Sequence, residues 1–169
     1  RKMKTVSIIG GNKSFNSYLQ KVLKSLEVDC KYFTKYAVKR ESYYDYVIFN
    51  SNSSIKDVLL NGGYCFVNMD LVNSNRNVNV YGNIITYGLG SKNTITVSSM
   101  EDNNSFVYCL QRDLNYNAFG KLEPAEVPIN ISFSGEEEIY AAMVGITISI
   151  IEGKDISSLV KGKKLTVLT

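Results

Sequence analysis

The sequence contains no histidine and no tryptophan, and only two of its 169 residues are proline. Its three cysteines, Cys30, Cys65 and Cys109, lie far apart and form no Cys-X-X-Cys pair. Zinc sites and Cys–His catalytic pairs need such clusters or a histidine, so both are excluded. We predict that the cysteines are unpaired and mostly buried. Their odd number, without a signal-peptide pattern, indicates a reducing, cytoplasmic environment.

Long hydrophobic runs are also lacking. The longest, residues 139–151, is too short to cross a bilayer and is flanked by glutamates, so it predicts a buried helix and no membrane partner. A hydrophobic fraction of 44% with 21% charged residues is typical of a globular protein. The chain length is that of one domain, and we expect residues 1–169 to form it.

The chain is weakly basic, with a formal net charge of +3 at pH 7. Basic residues concentrate only in residues 35–40, which precede Tyr43 and Tyr44. Such a segment can bind nucleic acid through phosphate contacts and stacking, but a solvated loop is the commoner origin of this pattern. A nucleic-acid partner is therefore not expected.

The first half of the chain alternates strand and helix patterns. Residues 3–9 form a β-branched run that ends at a glycine pair, and apolar residues at helical spacing follow over residues 14–26. The remaining predicted elements are strands at 28–34, 45–50 and 64–68 and a short helix at 54–60, closed by residues 61–63. This alternation predicts a mainly parallel sheet covered on both faces.

The second half predicts strands joined by turns, at residues 78–87, 94–99, 106–112 and 127–133. Such strands should pair antiparallel, with residues 88–91 as a hairpin connection. Ser134 resembles an N-cap and Glu137 would complete a capping box for a helix at 136–152. A turn at 156–160 and an edge strand at 165–168 follow. The whole pattern predicts a three-layer α/β fold with a mainly parallel sheet and an antiparallel second half.

Three segments together resemble the central, ATP-binding domain of the Mur ligase superfamily, in a shortened form. The most specific is residues 61–99, where NGGYCFVNMD and NIITYGLGSKNTITVSS are similar to the family's "GG…V.N.DD" and "ITYG…A.V.A" patterns. GEEEIYAAMVGI, residues 135–146, is similar to the helix "G.HN.YNALAAI". IIGGNKSFNSYL, residues 8–19, aligns with the phosphate loop "GTNGKTTT".

The resemblance places a remnant phosphate loop at Gly10, Gly11, Asn12, Lys13 and Ser14. In such loops, backbone N–H groups surround the phosphates, a lysine reaches the terminal ones and a hydroxyl binds Mg²⁺. Here the glycine before the lysine is missing and the loop is one residue short. A glycine turn before a helix is also ordinary turn chemistry, so the residues alone favour a structural role.

Three further features of the family's site have changed. The strand DYVIFNSN places Asn50 where the family carries a Mg²⁺-binding glutamate, and a neutral amide is a poor ligand for a hard cation. The adenine-reading asparagine positions are occupied by Glu138 and Ala141. The family's histidine ligand has no counterpart, since the chain contains none.

These changes lead us to expect a catalytically inactive Mur-ligase-like domain that binds a protein partner or a small ligand in its remnant cleft. The cleft would include Gly10 to Ser14, Asn50 and Glu138, with no catalytic residue, no metal ligand and no cofactor. The alternative is an ATP- and Mg²⁺-dependent amide-bond ligase or nucleotide-binding subunit that a partner chain completes. A cell-wall or spore-envelope process would follow from kinship alone.

Overall fold

The computed structural model describes residues 3–35, 41–52, 55–72, 78–116 and 120–160. Two α-helices lie within these residues, α1 (Lys13–Ser25) and α2 (Glu136–Ile151), together with one 3-10 turn (Ser157–Leu159). The strands are β1 (Lys4–Ile9), β2 (Cys30–Lys35), β3 (Glu41–Ser42), β4 (Tyr46–Phe49), β5 (Ile55–Asn68), β6 (Val78–Tyr87), β7 (Ile95–Glu101), β8 (Ser105–Leu110), β9 (Leu114–Tyr116), β10 (Gly120–Leu122) and β11 (Ala125–Asn130).

One mixed sheet organises the described residues. Its strand order is β11-β8-β7-β6-β5-β4-β1-β2, with β3 beside β5. Strands β2, β1, β4, β5, β6 and β7 pair parallel, whereas β8 pairs antiparallel with both β7 and β11. The predicted fold class, α/β with a mainly parallel sheet and an antiparallel second half, is confirmed. A separate hairpin of β9 and β10 was not predicted.

The predicted hairpin between β6 and β7 is wrong, because these strands touch in parallel at a single pair, Tyr87 and Ile95. The loop between them is bonded to Asp70, whose Oδ2 accepts the Leu89 N–H at 2.8 Å. Gly88 lies against the same carboxylate, since a Cβ there would be 2.6 Å from Asp70 Oδ1. The loop is therefore held over the end of β5 and does not fold back along β6.

The short helix predicted at residues 54–60 is also wrong. Ser54 lies outside the described residues, and the residues after it begin β5. Their backbone pairs with β6, for example Ile55 with Val78, and with β3, where Leu59 faces Glu41. Residues 61–63 lie inside β5 at a register shift and terminate no helix. Pairing on both edges overrides the local helical pattern.

Alternate residues of the central strands are buried on opposite faces of the sheet. One face carries Ile8, Ile48 and Phe66 and packs against both α1 and α2. The other face holds a second cluster, which comprises Ile9, Val47, Phe49, Cys65 and Val67, with Tyr44 and Val72 against it. Burial of both faces explains why these strands lack polar alternation.

Helix α2 is buried along nearly its whole length and packs on α1. Its predicted N-cap is wrong: Gly135 occupies the cap position, and Ser134 bonds to Glu138 instead of capping the helix.

The turn predicted at 156–160 is present as the 3-10 turn, and the strand predicted at 165–168 lies outside the described residues. No helix in the described part of the chain is long and apolar enough to cross a membrane.

The three cysteines are free, as predicted. Cys65 and Cys109 are buried, whereas Cys30, the first residue of β2, is only partly buried. Burial raises the pKa of the Cys30 thiol to about 11 and that of Cys65 to about 12. Exposure and thiolate fraction together set the reactivity of a thiol, so Cys30 and Cys65 should react slowly near neutral pH. Burial alone should protect Cys109.

We expect Ellman's reagent to modify Cys30 first, with Cys65 and Cys109 protected until the protein unfolds. The Cys30 pKa is about 11, so its thiolate fraction stays small at lower pH. The reaction rate should therefore rise about tenfold for each unit by which the pH is increased, up to about pH 11. Stopped-flow absorbance at several pH values measures this rate, and a Cys30→Ser variant should lose the first phase alone. Rapid modification of all three thiols in native protein would contradict the described burial.

Candidate functional site

Four parallel strands end at the same edge of the sheet. Gly10 follows β1, Asn50 follows β4, and Asn68 and Tyr87 are the last residues of β5 and β6. Helix α1 begins at Lys13, just beyond β1, and residues at the start of α2 bond to this edge. Ligands of open α/β sheets bind at the carboxyl ends of the strands, so this edge is the candidate site.

The glycine turn that precedes α1 has a structural explanation. Gly10 has φ of +74°, and a Cβ there would lie 2.1 Å from the Cβ of Ser51, at the end of the neighbouring strand. A Cβ at Gly11 would lie 2.3 Å from Asn16 Oδ1. The two glycines therefore allow a close approach between the turn, β4 and α1.

Asn12 is the N-cap of α1, and its Oδ1 accepts the Phe15 N–H at 2.8 Å. An anion at a helix start binds such N–H groups, so the side chain of Asn12 takes one donor that a phosphate would use. Lys13 and Ser14 follow in the first turn, with exposed side chains. Both side chains line a groove beside α1 whose lining does not include Asn50.

Asn50 is 3% exposed and makes three side-chain hydrogen bonds. Its Nδ2 donates to Glu137 Oε2, at 2.8 Å. Its Oδ1 accepts from Asn68 Nδ2 and from the Tyr87 hydroxyl, each at 2.8 Å. An amide oxygen has two lone pairs, so both acceptor positions of Asn50 are in use and none remains for a cation.

A second carboxylate extends this network. Asp70 Oδ2 accepts from the Tyr140 hydroxyl and the Leu89 N–H, each at 2.8 Å, and the Asp70 N–H donates to Asn68 Oδ1 at 3.0 Å. We call the six residues joined in this way the Asn50 network: Asn50, Asn68, Asp70, Tyr87, Glu137 and Tyr140. It connects the ends of β4, β5 and β6 to the first turns of α2.

Electrostatics keep the two phenols of this network protonated. Burial raises the pKa of Tyr87 well above its ordinary value, and the Glu137 carboxylate adds to the effect. Burial, together with the bond to Asp70, raises the pKa of Tyr140 in the same direction. Both hydroxyls therefore act as neutral donors, Tyr87 to an amide oxygen and Tyr140 to a carboxylate.

These contacts do not fit a Mg²⁺-ATP site of the family pattern. Asn50, where the resemblance would place a metal-binding glutamate, has a neutral side chain whose oxygen has no free lone pair, and Glu137 is bound to its amide nitrogen. Among the described residues, no three or more His, Cys, Asp or Glu side chains are grouped so as to hold a metal ion. The arrangement is suited to holding structural elements together.

The residues predicted from the sequence fall into two neighbouring parts of this edge. Asn50 is in the network, whereas Lys13, Ser14 and Glu138 line the groove beside α1. Sequence reasoning missed Asn68, Asp70, Tyr87, Glu137 and Tyr140, of which Glu137 was expected only to complete a capping box. A signal for the first two existed, because polar residues that end or follow a predicted parallel strand lie at the ligand-binding edge.

Comparison of the chain with protein-family models, with curated proteins and with solved structures finds no match.

Proposed function

We propose that the chain is a Mur-ligase-like domain that has lost nucleotide chemistry and acts as a binding or scaffold module in the cytoplasm. The observation that carries this proposal is the bonding of Asn50, at the family's metal-ligand position. Its amide joins Glu137, Asn68 and Tyr87 within the protein. A buried, fully bonded polar group rigidifies its surroundings and is not available for a ligand.

The start of α1 supports the same proposal. A phosphate loop must direct free N–H groups at its ligand, but Asn12 caps the helix through Phe15 N–H. Gly10 is accounted for by its contact with Ser51 and Gly11 by its contact with Asn16. Packing and capping therefore explain these positions without a nucleotide. A role in cell-wall or spore-envelope processes would follow from the family resemblance.

The alternative function is a nucleotide-binding or amide-ligase subunit completed by a partner chain. Lys13 and Ser14 favour it, because both side chains are exposed beside an open groove. The nucleic-acid hypothesis rests on residues 35–40, of which 36–40 lie outside the described residues.

We expect the isolated chain to bind Mg²⁺-ATP too weakly to detect at micromolar protein concentration, and to release no phosphate above background. Each charged or hydrogen-bonded contact that is missing weakens binding by about 1.5–3 kcal/mol, so several together remove a few orders of magnitude. Isothermal titration calorimetry with excess Mg²⁺, followed by a phosphate-release assay, measures both quantities. A low-micromolar dissociation constant or steady turnover would overturn the proposal and favour the ligase subunit.

A gain-of-function variant provides the converse experiment. It combines Asn50→Glu with one glycine inserted between Asn12 and Lys13. Because Glu137 lies against Asn50, the introduced carboxylate would be repelled unless Glu137→Gln is added. Recovery of measurable nucleotide affinity in this combined variant indicates that the cleft is otherwise intact.

A further inference from the structure

A groove of about 560 Å³ runs between the exposed side of α1 and residues 132–134. None of the six residues of the Asn50 network lines it. Its lining is Lys13, Ser14, Ser17, Tyr18, Lys21, Ser132, Phe133, Ser134 and Glu138. Four of the lining residues are serines, and the buried aromatic residues Tyr18 and Phe133 contribute to the apolar surface.

The basic residues of the groove are evenly spaced along α1. Lys13, Ser17 and Lys21 succeed one another at intervals of four residues along α1, so they lie on one face of the helix. All three side chains are exposed. Neither lysine forms an ion pair with any residue that the structure describes.

A hydrogen bond joins α1 to the opposite side of the groove. The Tyr18 hydroxyl donates to Ser132 O at 2.6 Å, and burial raises the pKa of Tyr18 to about 12, with a contribution from Glu138. Glu138 is the single carboxylate in the lining, and it accepts both the N–H and the hydroxyl of Ser134. The groove lining therefore contains two cations, Lys13 and Lys21, and one carboxylate, Glu138, which already accepts two hydrogen bonds from Ser134.

The distance between Lys13 and Lys21 indicates how far apart the acidic groups of a ligand should be. Eight residues of α-helix separate Lys13 from Lys21, which corresponds to about 12 Å along the helix axis. In an extended peptide, residues four positions apart are separated by about 13 Å and project from the same face. Two acidic side chains at this interval would meet both lysines, while the serine hydroxyls bond to the peptide backbone.

We propose that this groove binds an extended acidic segment of a partner protein, with two carboxylates four residues apart over Lys13 and Lys21. The inference rests on the proposed function and names the chemistry of the partner. A nucleic acid fits less well, because an adjoining cavity is lined by Glu136, Glu137 and Glu138. A phosphate chain carries a charge at every nucleotide and would be repelled there, whereas the peptide needs acidic groups only over α1.

The test is fluorescence anisotropy of a labelled nine-residue peptide with two glutamates four positions apart, at low ionic strength. Comparison peptides carry glutamates three positions apart or glutamines in their place. We expect micromolar binding of the first peptide and about threefold weaker binding of the second, whose glutamates project from opposite faces. The third, which lacks both charges, should bind about 4- to 25-fold more weakly than the first. Lys13→Gln and Lys21→Gln should each weaken binding about two- to fivefold, and added salt should weaken it further.

Two variants provide the matched comparison. Lys24→Gln removes the same charge from an exposed position of α1 that does not line the groove, and it should leave the affinity within about 1.5-fold of the parent. Glu138→Gln should strengthen binding, because it removes the opposing carboxylate. Thermal unfolding checks that all four variants fold.

The groove proposal is overturned if the glutamine peptide binds equally well, if Lys24→Gln weakens binding as much as Lys13→Gln, or if no peptide binds. Tighter binding of a single-stranded oligonucleotide than of the acidic peptide would also overturn it. The Mg²⁺-ATP titration separates the two proposals. If neither the peptide nor the nucleotide binds, the groove proposal is contradicted and the proposed function stands. If the nucleotide binds, the proposed function is contradicted.

Discussion

Replacing Asn50 with alanine is expected to lower the free energy of unfolding by about 3–5 kcal/mol. The change removes the acceptor for Asn68 Nδ2 and for the Tyr87 hydroxyl, both of which belong to fully buried residues. It also removes the donor to Glu137. A buried donor that loses its partner costs about 1–3 kcal/mol, and here two are affected at once.

Urea denaturation followed by circular dichroism and by tyrosine fluorescence measures the change, since the chain contains 12 tyrosines and no tryptophan. Asn115→Ala is the control, because Asn115 is exposed in β9 and should tolerate the change within about 0.5 kcal/mol. A loss below about 1 kcal/mol for Asn50→Ala would show that the network contributes little to stability.

Asn50→Asp separates hydrogen bonding from charge. The variant keeps an acceptor for Asn68 and Tyr87 but places a second carboxylate where Nδ2 now lies 2.8 Å from Glu137. Repulsion raises the pKa of the pair in the folded state above its unfolded value, so the folded variant is favoured at low pH and loses stability as the pH rises. Its stability deficit should therefore be largest at neutral pH, and adding Glu137→Gln should remove most of it.

Much of the fold was predictable because local patterns and tertiary structure agree. The β-branched run before the glycine turn becomes β1, and the apolar run at residues 139–151 becomes the interior of α2. The prediction failed where long-range pairing decides the structure. Residues 55–60 have a helical pattern, yet they are paired with β6 and β3 on either side. No local signal reports a neighbouring strand.

The sequence predicts where the candidate site lies, but not which residues bond to one another there. That Asn50 ends a parallel strand follows from the sequence, and so does its place at the ligand-binding edge. Its three partners come from β5, β6 and α2, and their convergence depends on the strand order. The cap at Ser134 failed for a related reason: Glu137 bonds to Asn50, so Glu138 bonds to Ser134 in its place.

The glycine turn allows a sharper test of structural against phosphate-binding roles. Gly10→Ala is expected to lower the free energy of unfolding by about 2–5 kcal/mol, the sum of about 1–2 for left-handed backbone and about 1–3 for steric overlap. The overlap arises because the new Cβ would lie 2.1 Å from Ser51 Cβ. If Gly10 served only a phosphate, the alanine variant would lose only the backbone contribution of about 1–2 kcal/mol in the absence of nucleotide.

Gly153 provides a matched control within the same chain. It has φ of +74°, the same as Gly10, but a Cβ at Gly153 would meet nothing within 4 Å. Gly153→Ala should therefore cost only the backbone contribution of about 1–2 kcal/mol, and the difference between the two variants isolates the contact with Ser51. A double-mutant cycle with Ser51→Gly tests that contact directly, and a favourable coupling of about 1–3 kcal/mol is expected. Equal losses for the two alanine variants, with no coupling to Ser51→Gly, would contradict the packing role assigned to Gly10 and leave the family's phosphate loop as the better explanation of this glycine.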